Sequence, residues 1–135
     1  MAERENIETV RRAFMALGRN DMKQLKGLLS PEVEWHTPGP KGVLPFAGVH
    51  RGPDAVVQWW KKLGESEEAI RFEPKDFIPY EDKVIVMGDS DMRVKSTGKE
   101  LSTEWVQVYT LRDGKIVDFR EFYDTAQEVE GYKPN

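Results

Sequence analysis

The feature that most constrains the fold is the C-terminal half of the chain, where strand-like segments follow one another with only short turns between them. One segment spans 83–95 and the next spans 100–112. The turns between the segments lie at 96–99 and at Asp113-Gly114, and the second is a strong hairpin signal. Since strands joined by tight turns pair antiparallel, this pattern predicts an antiparallel meander over 69–124.

The N-terminal part shows the three- and four-residue spacing of amphipathic helices. In the first segment the apolar positions at this spacing are Ile7, Val10, Phe14 and Leu17. Asp21 can cap a second short helix that ends near Pro31. The pattern predicts a helical hairpin over 4–29 and a third helix over about 53–65, with Trp60 on its buried stripe.

A short strand and a long loop separate these helices. The strand covers 32–37 and alternates, with Val33 and Trp35 on one face and Glu34 and His36 on the other. The following loop is rich in turn residues and continues to Gly52. Its apolar stretch at 44–49 indicates that it folds over another part of the chain. The C-terminal segment 125–135 is predicted to be frayed.

Helices grouped ahead of an antiparallel meander predict an α+β fold. Long strands joined by tight turns twist strongly, and a strongly twisted sheet curls. We therefore expect a cone-shaped α+β barrel, in which three N-terminal helices pack on a strongly curved antiparallel sheet that encloses a pocket. The chain has 135 residues, which fits one domain over 1–135 with a core at about 5–128.

Composition excludes several classes of function. The chain has no cysteine and only two histidines, so thiolate chemistry and a multi-histidine zinc cluster are ruled out. The net charge of −4 argues against a nucleic-acid partner. No stretch reads as a targeting segment or a membrane span. We predict a cytoplasmic protein without metal, cofactor, nucleic-acid or membrane partner.

Several short segments together resemble the SnoaL-like branch of the nuclear transport factor 2-like, ketosteroid-isomerase-like superfamily. The resemblance covers roughly 5–128. The segments that carry it are Phe14-Met15-Ala16-Leu17, Glu34-Trp35-His36, Phe46-Ala47-Gly48, Thr97-Gly98-Lys99 and Phe119-Arg120-Glu121-Phe122-Tyr123-Asp124. The superfamily includes isomerases, cyclases, epoxide hydrolases, dehydratases and plain binding proteins, so the resemblance implies the fold and a pocket rather than one reaction.

The resemblance to ketosteroid isomerases implies a catalytic set. His36 falls where those enzymes carry their general base, and histidine can exchange a proton near neutral pH. Gln107 falls at the aspartate of the oxyanion hole, and its amide can donate a hydrogen bond. The tyrosine of that hole falls at Phe14 or Ala13, neither of which can donate.

Strand alternation supplies the remaining site residues. On the final strand Phe119, Glu121 and Tyr123 share one face, which should line the cavity. Glu121 would then orient the His36 ring, whereas His50 is predicted to lie at the surface. The remaining candidate ligand-binding residues are Glu34, Phe14, Phe46, Trp105 and Tyr109, together with Phe119 and Tyr123.

Four functions remain open, and the weakest is a protein-interaction module that uses the outer face of the sheet. One is an isomerase, cyclase or lyase that transfers protons on a small hydrophobic carbonyl substrate. Another is a non-catalytic binder of a small hydrophobic ligand. The third is an epoxide hydrolase, whose final-strand carboxylate falls at Glu121 and whose arginine position lacks an arginine, Arg93 being the nearest. We also expect a homodimer, because Val106, Val108 and Phe122 alternate onto the outer face of the sheet.

Overall fold

The structure is a computed structural model that describes residues 2–134. Ten elements follow one another along the chain: α1 Ala2–Gly18, α2 Met22–Leu28, β1 Leu29–Thr37, β2 Gly48–Arg51, α3 Pro53–Ser66, β3 Glu67–Tyr80, β4 Lys83–Val94, β5 Glu100–Arg112, β6 Lys115–Tyr123 and α4 Thr125–Gly131. The α+β class and the cone of helices on a curved sheet are confirmed. The three N-terminal helices begin and end close to their predicted bounds.

The strands form one sheet in the order β2-β1-β6-β5-β4-β3. The four strands from β3 to β6 make the predicted antiparallel meander. The prediction of a purely antiparallel sheet is wrong at one place, because β1 pairs parallel with β6 and sets Trp35 beside Phe119. These two strands are distant in sequence, so no turn between them could indicate their direction.

Two further elements were not predicted. The loop after β1 contains β2, which pairs antiparallel with β1. The segment predicted to be frayed contains α4, whose N-terminus is capped by the Asp124 side chain as it accepts a hydrogen bond from the Gln127 backbone N–H at 3.0 Å. Gly131 ends this helix against the sheet, where a Cβ atom would lie 2.6 Å from the Leu101 side chain. Close packing, rather than hydrophobic periodicity, thus orders this segment.

The core lies between the concave face of the sheet and helices α1 and α3. Val33 and Trp35 of β1 are fully buried there. On α3 the buried tryptophan is Trp59, at 5% exposure, whereas Trp60, predicted to lie in the core, is partly buried and packs against the core. Trp60 lies one position further round the helix, and its indole N–H donates to Asn20 Oδ1 at 3.0 Å.

No helix between residues 2 and 134 has the length and apolarity that crossing a membrane requires. The cytoplasmic location stays a prediction.

Candidate functional site

The curled sheet encloses a cavity with two adjoining lobes that share lining residues. The larger lobe has a volume of about 330 Å³ and the smaller about 70 Å³. Both lobes share part of their lining, including Trp59, Phe72, Glu67 and Glu121. The larger lobe is at the lower end of the ~300–1,000 Å³ range of small-molecule sites, so it suits a compact ligand of two or three rings.

Stacked aromatic rings form the walls. Trp35 stacks on Phe119 with ring centroids 3.9 Å apart, and Trp105 stacks on Phe72 with centroids 4.7 Å apart. Phe14 of α1 lies 6.2 Å from Trp105, between the helix and the sheet. Such walls present flat apolar surfaces, which favour a flat hydrophobic ligand.

Most of the predicted site residues line this cavity. In the pairing of β5 with β6, Trp105 lies opposite Tyr123 and Gln107 lies opposite Glu121. Strand alternation directs this whole row of side chains to the concave face, as the sequence predicted. The predicted residues found in the lining are Phe14, Phe46, Trp105, Gln107, Tyr109, Phe119, Glu121 and Tyr123.

A chain of hydrogen bonds holds the Glu121 carboxylate. The Tyr109 hydroxyl donates to Gln107 Oε1 at 2.7 Å, and Gln107 Nε2 donates to Glu121 Oε2 at 2.7 Å. The first bond fixes which end of the amide faces Glu121. Gln107 is therefore a positioning residue for Glu121. Its role as oxyanion donor, which the resemblance implies, stays a prediction and would use the second hydrogen of the amide group.

Glu121 is poised between its two protonation states. Burial in the apolar cavity raises its pKa to about 7, the Gln107 hydrogen bond opposes this rise, and the charge of Glu67 adds to it. The carboxyl group lies on the cavity wall, where the lining leaves part of its surface open to a ligand. A carboxyl group with this pKa can accept and return a proton near neutral pH.

The predicted placement of His36 in the cavity is wrong. Trp35 occupies the concave face of β1, so His36 and Glu34 point from the opposite, convex face. There His36 Nε2 lies 3.2 Å from Glu34 Oε1 and 3.4 Å from Asp118 Oδ1. The helices cover the concave face, so the larger apolar side chains take it. A His36–Glu121 dyad is excluded because the two residues lie on opposite faces.

The convex cluster of Glu34, His36 and Asp118 has metal-ligand chemistry, since its ligand atoms all lie within 4.8 Å of one another. Both carboxylates already pair with cations. Arg51 Nε lies 3.5 Å from Glu34 Oε2, and Arg120 Nε lies 3.1 Å from Asp118 Oδ2. Arg51 and Arg120 therefore compete for the carboxylate oxygens that a metal ion would need.

His50, predicted to lie at the surface, is half-buried and binds the loop before β2. Its Nε2 donates to the Phe46 carbonyl oxygen at 2.8 Å, an oxygen that the Thr37 hydroxyl also binds at 2.7 Å. Burial lowers the pKa of His50. These contacts hold Phe46, at 2% exposure, against the smaller lobe.

Sequence reasoning missed two buried carboxyl groups at the smaller lobe. Glu67 and Glu128 are each 5% exposed, and both line this lobe. The Tyr132 hydroxyl donates to Glu67 Oε2 at 2.6 Å, and the Tyr123 hydroxyl donates to Glu128 Oε1. Both glutamates lie in polar stretches of sequence, and only the packing of α4 buries them. The single local signal is Asp124 followed three residues later by Gln127, a pattern typical of a helix start.

Three buried donors on the lining have no partner. The indole N–H groups of Trp35, Trp59 and Trp105 make no hydrogen bond among the described residues. A buried donor without an acceptor costs about 1–3 kcal/mol. A ligand with carbonyl or hydroxyl oxygens could satisfy such donors.

The Asp-Arg-Asp arrangement of epoxide hydrolases is absent from the lining of the two described lobes. Arg71 does bind two aspartates, with its Nε 2.9 Å from Asp91 Oδ2 and its NH1 on Asp89. Alternation along β4 puts Ser90 and Met92 in the cavity lining, however, and directs both aspartates to the convex face. The arginine thus lies on the wrong side of the sheet for epoxide chemistry in the cavity.

Known proteins share this architecture. The family model for the SnoaL-like domain matches residues 10–119. A crystal structure of an NTF2-like protein from Burkholderia xenovorans LB400 is 34% identical, covers 97% of this chain and 98% of its own, and superposes with a TM-score of 0.90. An uncharacterised protein of Mycobacterium tuberculosis is 29% identical over 98% of both chains.

A more distant structure shows the fold alone. TerC, co-crystallised with polyporic acid, is 23% identical and superposes with a TM-score of 0.83 over 95% of this chain and 98% of its own. The family model spans most of the sequence, and its match agrees with the helices on a curved sheet and the enclosed cavity described above. The chain belongs to the SnoaL-like domain family, with the NTF2-like fold.

Proposed function

We propose that this protein is an enzyme that binds a flat, uncharged, hydrophobic carbonyl compound and moves a proton to or from the carbon beside the carbonyl. Glu121 is the base. This step is common to isomerases, cyclases and lyases that work through an enol. The observation that carries the proposal is the Glu121 carboxyl group, enclosed by aromatic walls and held by Gln107.

The protonation of Glu121 supports the role. A general base works best when its pKa is near the working pH, and burial raises that of Glu121 to about 7. The Gln107 bond occupies one carboxylate oxygen and leaves Oε1 for the substrate. The orientation of the base is thus fixed before the ligand binds, which favours proton transfer.

The charge of the lining supports an uncharged ligand. The acidic residues that line the two lobes are Glu67, Glu121, Asp124 and Glu128, and no lysine, arginine or histidine is among the described lining residues. A ligand carboxylate would meet like charges without a partner, at a cost in desolvation. A ketone places an acceptor among the unpaired indole donors without that cost.

Proton transfer can be measured with 2-tetralone, a bicyclic ketone with an acidic C–H beside the carbonyl. Deuterium incorporation at that carbon, followed by NMR in D₂O, reports the step directly. We expect the wild-type protein to accelerate exchange over buffer and Glu121→Gln to lose ~10²–10⁴-fold of this acceleration. Glu65→Gln, an exposed carboxylate on α3, is the matched control and should keep the wild-type rate.

The outcomes separate the two remaining functions. An equal rate in wild type and Glu121→Gln would contradict the proposed role of this residue. Binding of 2-tetralone without any exchange would make the protein a non-catalytic binder, the alternative that the same cavity allows.

Charge selectivity needs a separate pair of ligands. The compounds 2-acetonaphthone and 2-naphthoate have the same ring system and differ chiefly in charge. We expect calorimetry to show tighter binding of the ketone by ~10-fold or more, because a like-charge contact at about 4 Å costs about 1 kcal/mol even in bulk water and more inside a protein. Equal or tighter binding of 2-naphthoate would contradict an uncharged ligand.

A further inference from the structure

The smaller lobe of the cavity contains a pair of carboxyl groups that the role of Glu121 does not use. Glu67 is the first residue of β3 and Glu128 lies on α4, so two distant parts of the chain supply them. Both are almost fully buried, and both side chains line the same lobe of about 70 Å³. Two carboxylates buried in so small a space cannot both ionise at modest cost, so one proton held by the pair stabilises it.

The surroundings of the pair offer no compensating positive charge. The groups that face it are the Tyr123 hydroxyl and Glu121 from β6 and the Tyr132 hydroxyl from the segment after α4. All three are acids. Among residues 2–134, neither Glu67 nor Glu128 forms a salt bridge with a lysine, arginine or histidine.

The pKa of Glu128 agrees with this geometry. Burial first, and the adjacent Glu67 second, raise it to about 9. A proton therefore stays on the pair at pH values where Glu121, with a pKa of about 7, is ionised. One cavity thus holds a carboxylate and a protonated carboxyl pair at the same pH.

A second observation at this lobe points to a ligand. Trp59 and Trp105 line the smaller lobe together with Glu67 and Glu128. Both indoles are at least nine-tenths buried, and neither N–H has a partner. Unpaired buried donors beside a protonated carboxyl group favour a ligand that brings an acceptor oxygen to this end of the cavity.

We propose that Glu67 and Glu128 hold one proton between them and donate it to the carbonyl oxygen of the bound ligand. The inference rests on the proposed function. As Glu121 takes the proton from carbon, the electron pair of the C–H bond becomes the C=C bond of an enol, and the carbonyl oxygen takes the proton of the pair. Return of the proton from Glu121 to carbon, and of the enol proton to the carboxyl pair, restores the ketone, the Glu121 carboxylate and the protonated pair, so the step needs no other reactant.

The shared proton can be detected without any ligand. At about pH 8, infrared spectra of the full-length protein with ¹³C-labelled glutamate should contain the C=O band of a protonated carboxyl group. This band should be absent in Glu128→Gln and retained in Glu121→Gln. Absence of the band from the wild-type protein would contradict the proposal that the pair holds a proton.

Exchange of 2-tetralone tests the donation. Glu67→Gln and Glu128→Gln keep a side chain that can accept the tyrosine hydrogen bonds, so both should fold and bind, as circular dichroism and calorimetry can verify. We expect exchange to fall ~10²-fold or more in each, because general acid catalysis contributes about that much. Wild-type rates in both variants would overturn the donation.

The two proposals fail in different ways. Exchange that depends on Glu121 but not on Glu67 or Glu128 would overturn this inference and leave the proposed function intact. A wild-type protein that causes no exchange would contradict both the proposed function and the proton donation by the pair. The infrared band would then test only whether Glu67 and Glu128 hold a proton.

Discussion

Glu121 combines an apolar setting with a single strong hydrogen bond, and the balance between the two decides its chemistry. Without Gln107 the carboxylate would lose the one contact that favours its charged form. Loss of this contact in Gln107→Leu should therefore raise the pKa of Glu121 above about 7. The base would then be protonated over a wider pH range.

The buried acids predict how stability depends on pH. The folded-state pKa values of Glu121, about 7, and Glu128, about 9, lie above the ordinary value of 4.5. Between about pH 4.5 and 9 the folded protein therefore binds more protons than the unfolded chain, so these groups lower the free energy of unfolding as the pH rises. For Glu121 the loss is at most about 3 kcal/mol, at 1.36 kcal/mol per pKa unit.

Glu128→Gln tests this dependence. Removal of the ionisable group should make the melting temperature fall less between about pH 5 and pH 8.5 than it does in the wild-type protein. Glu65→Gln, which changes an exposed carboxylate, should follow the wild type. A parallel pH dependence in Glu128→Gln and wild type would mean that Glu128 ionises normally.

His36 should be dispensable for chemistry. Its ring lies on the convex face, outside the lining of the two lobes, between Glu34 and Asp118. We expect His36→Ala to keep the wild-type exchange rate of 2-tetralone and to lose no more than about 1 kcal/mol of stability, since partly exposed ion pairs contribute little. A 10²-fold loss of rate would restore the histidine as a catalytic residue.

At the scale of single residues, the face of a strand on which a polar residue lies was predicted correctly where its neighbours on that face are large apolar residues. The pairs Trp105–Gln107 and Phe119–Glu121 share a face with residues that had to be buried. The prediction for His36 was wrong for the same physical reason. Val33 and Trp35 are more apolar than Glu34 and His36, and they are buried on the concave side. The two faces of β1 were predicted correctly, but the resemblance placed the face with Glu34 and His36 in the cavity, where the structure has the face with Val33 and Trp35.

At the scale of elements, α4 decides whether the smaller lobe is closed. It is only seven residues long, so its own hydrogen bonds cannot keep it folded in water. Tertiary contacts hold it instead, among them the Thr97 hydroxyl, which donates to the Gly131 carbonyl oxygen at 2.6 Å. Such a short helix has no periodic pattern of apolar residues from which it could be predicted, so the sequence predicted a frayed end.

Gly131→Leu should separate α4 from the sheet. A Cβ at this position would lie 2.6 Å from the Leu101 side chain and 3.2 Å from that of Val94, and a leucine needs more room still. We expect faster amide hydrogen exchange over 125–131, with slow exchange retained in β5. Gly64→Leu is the control, because a Cβ there meets nothing within 4 Å. Unchanged protection of α4 would contradict its dependence on this close contact.

At the scale of the whole molecule, the convex face of the sheet is apolar along its middle. Met87 pairs with Val106, and Val106 pairs with Phe122 on the next strand. Phe122 is 55% exposed and Met87 38%. An apolar row of this kind, with exposed side chains at both ends, is typical of an interaction surface, and helices α1 and α3 already cover the other face.

The homodimer through this face stays a prediction, and light scattering tests it. We expect a dimer mass for the wild-type protein at tens of micromolar and a monomer mass for Phe122→Glu, because a buried carboxylate without a partner opposes association. Tyr80→Glu changes a residue that is 60% exposed at the end of β3 and should remain dimeric. A monomer mass for the wild type would contradict the prediction.

The fold was predictable from the sequence because turns, helix periodicity and strand alternation agree over most of the chain. The site was predictable only where it lies on those regular strands. Glu67 and Glu128 lie 61 residues apart in sequence and line one lobe through the docking of α4, and no local pattern encodes that arrangement. The parallel pairing of β1 with β6 is a long-range contact of the same kind.

The central claim, that Glu121 is the base of a proton-transfer site, is tested most directly by the pH dependence of 2-tetralone exchange. The protein-catalysed rate should rise with pH through a pKa of about 7, as Glu121 ionises, and then level off. In Glu121→Gln this rise should vanish, while 2-tetralone still binds. A wild-type profile without an ionisation near pH 7, or the same profile in Glu121→Gln, would contradict the account.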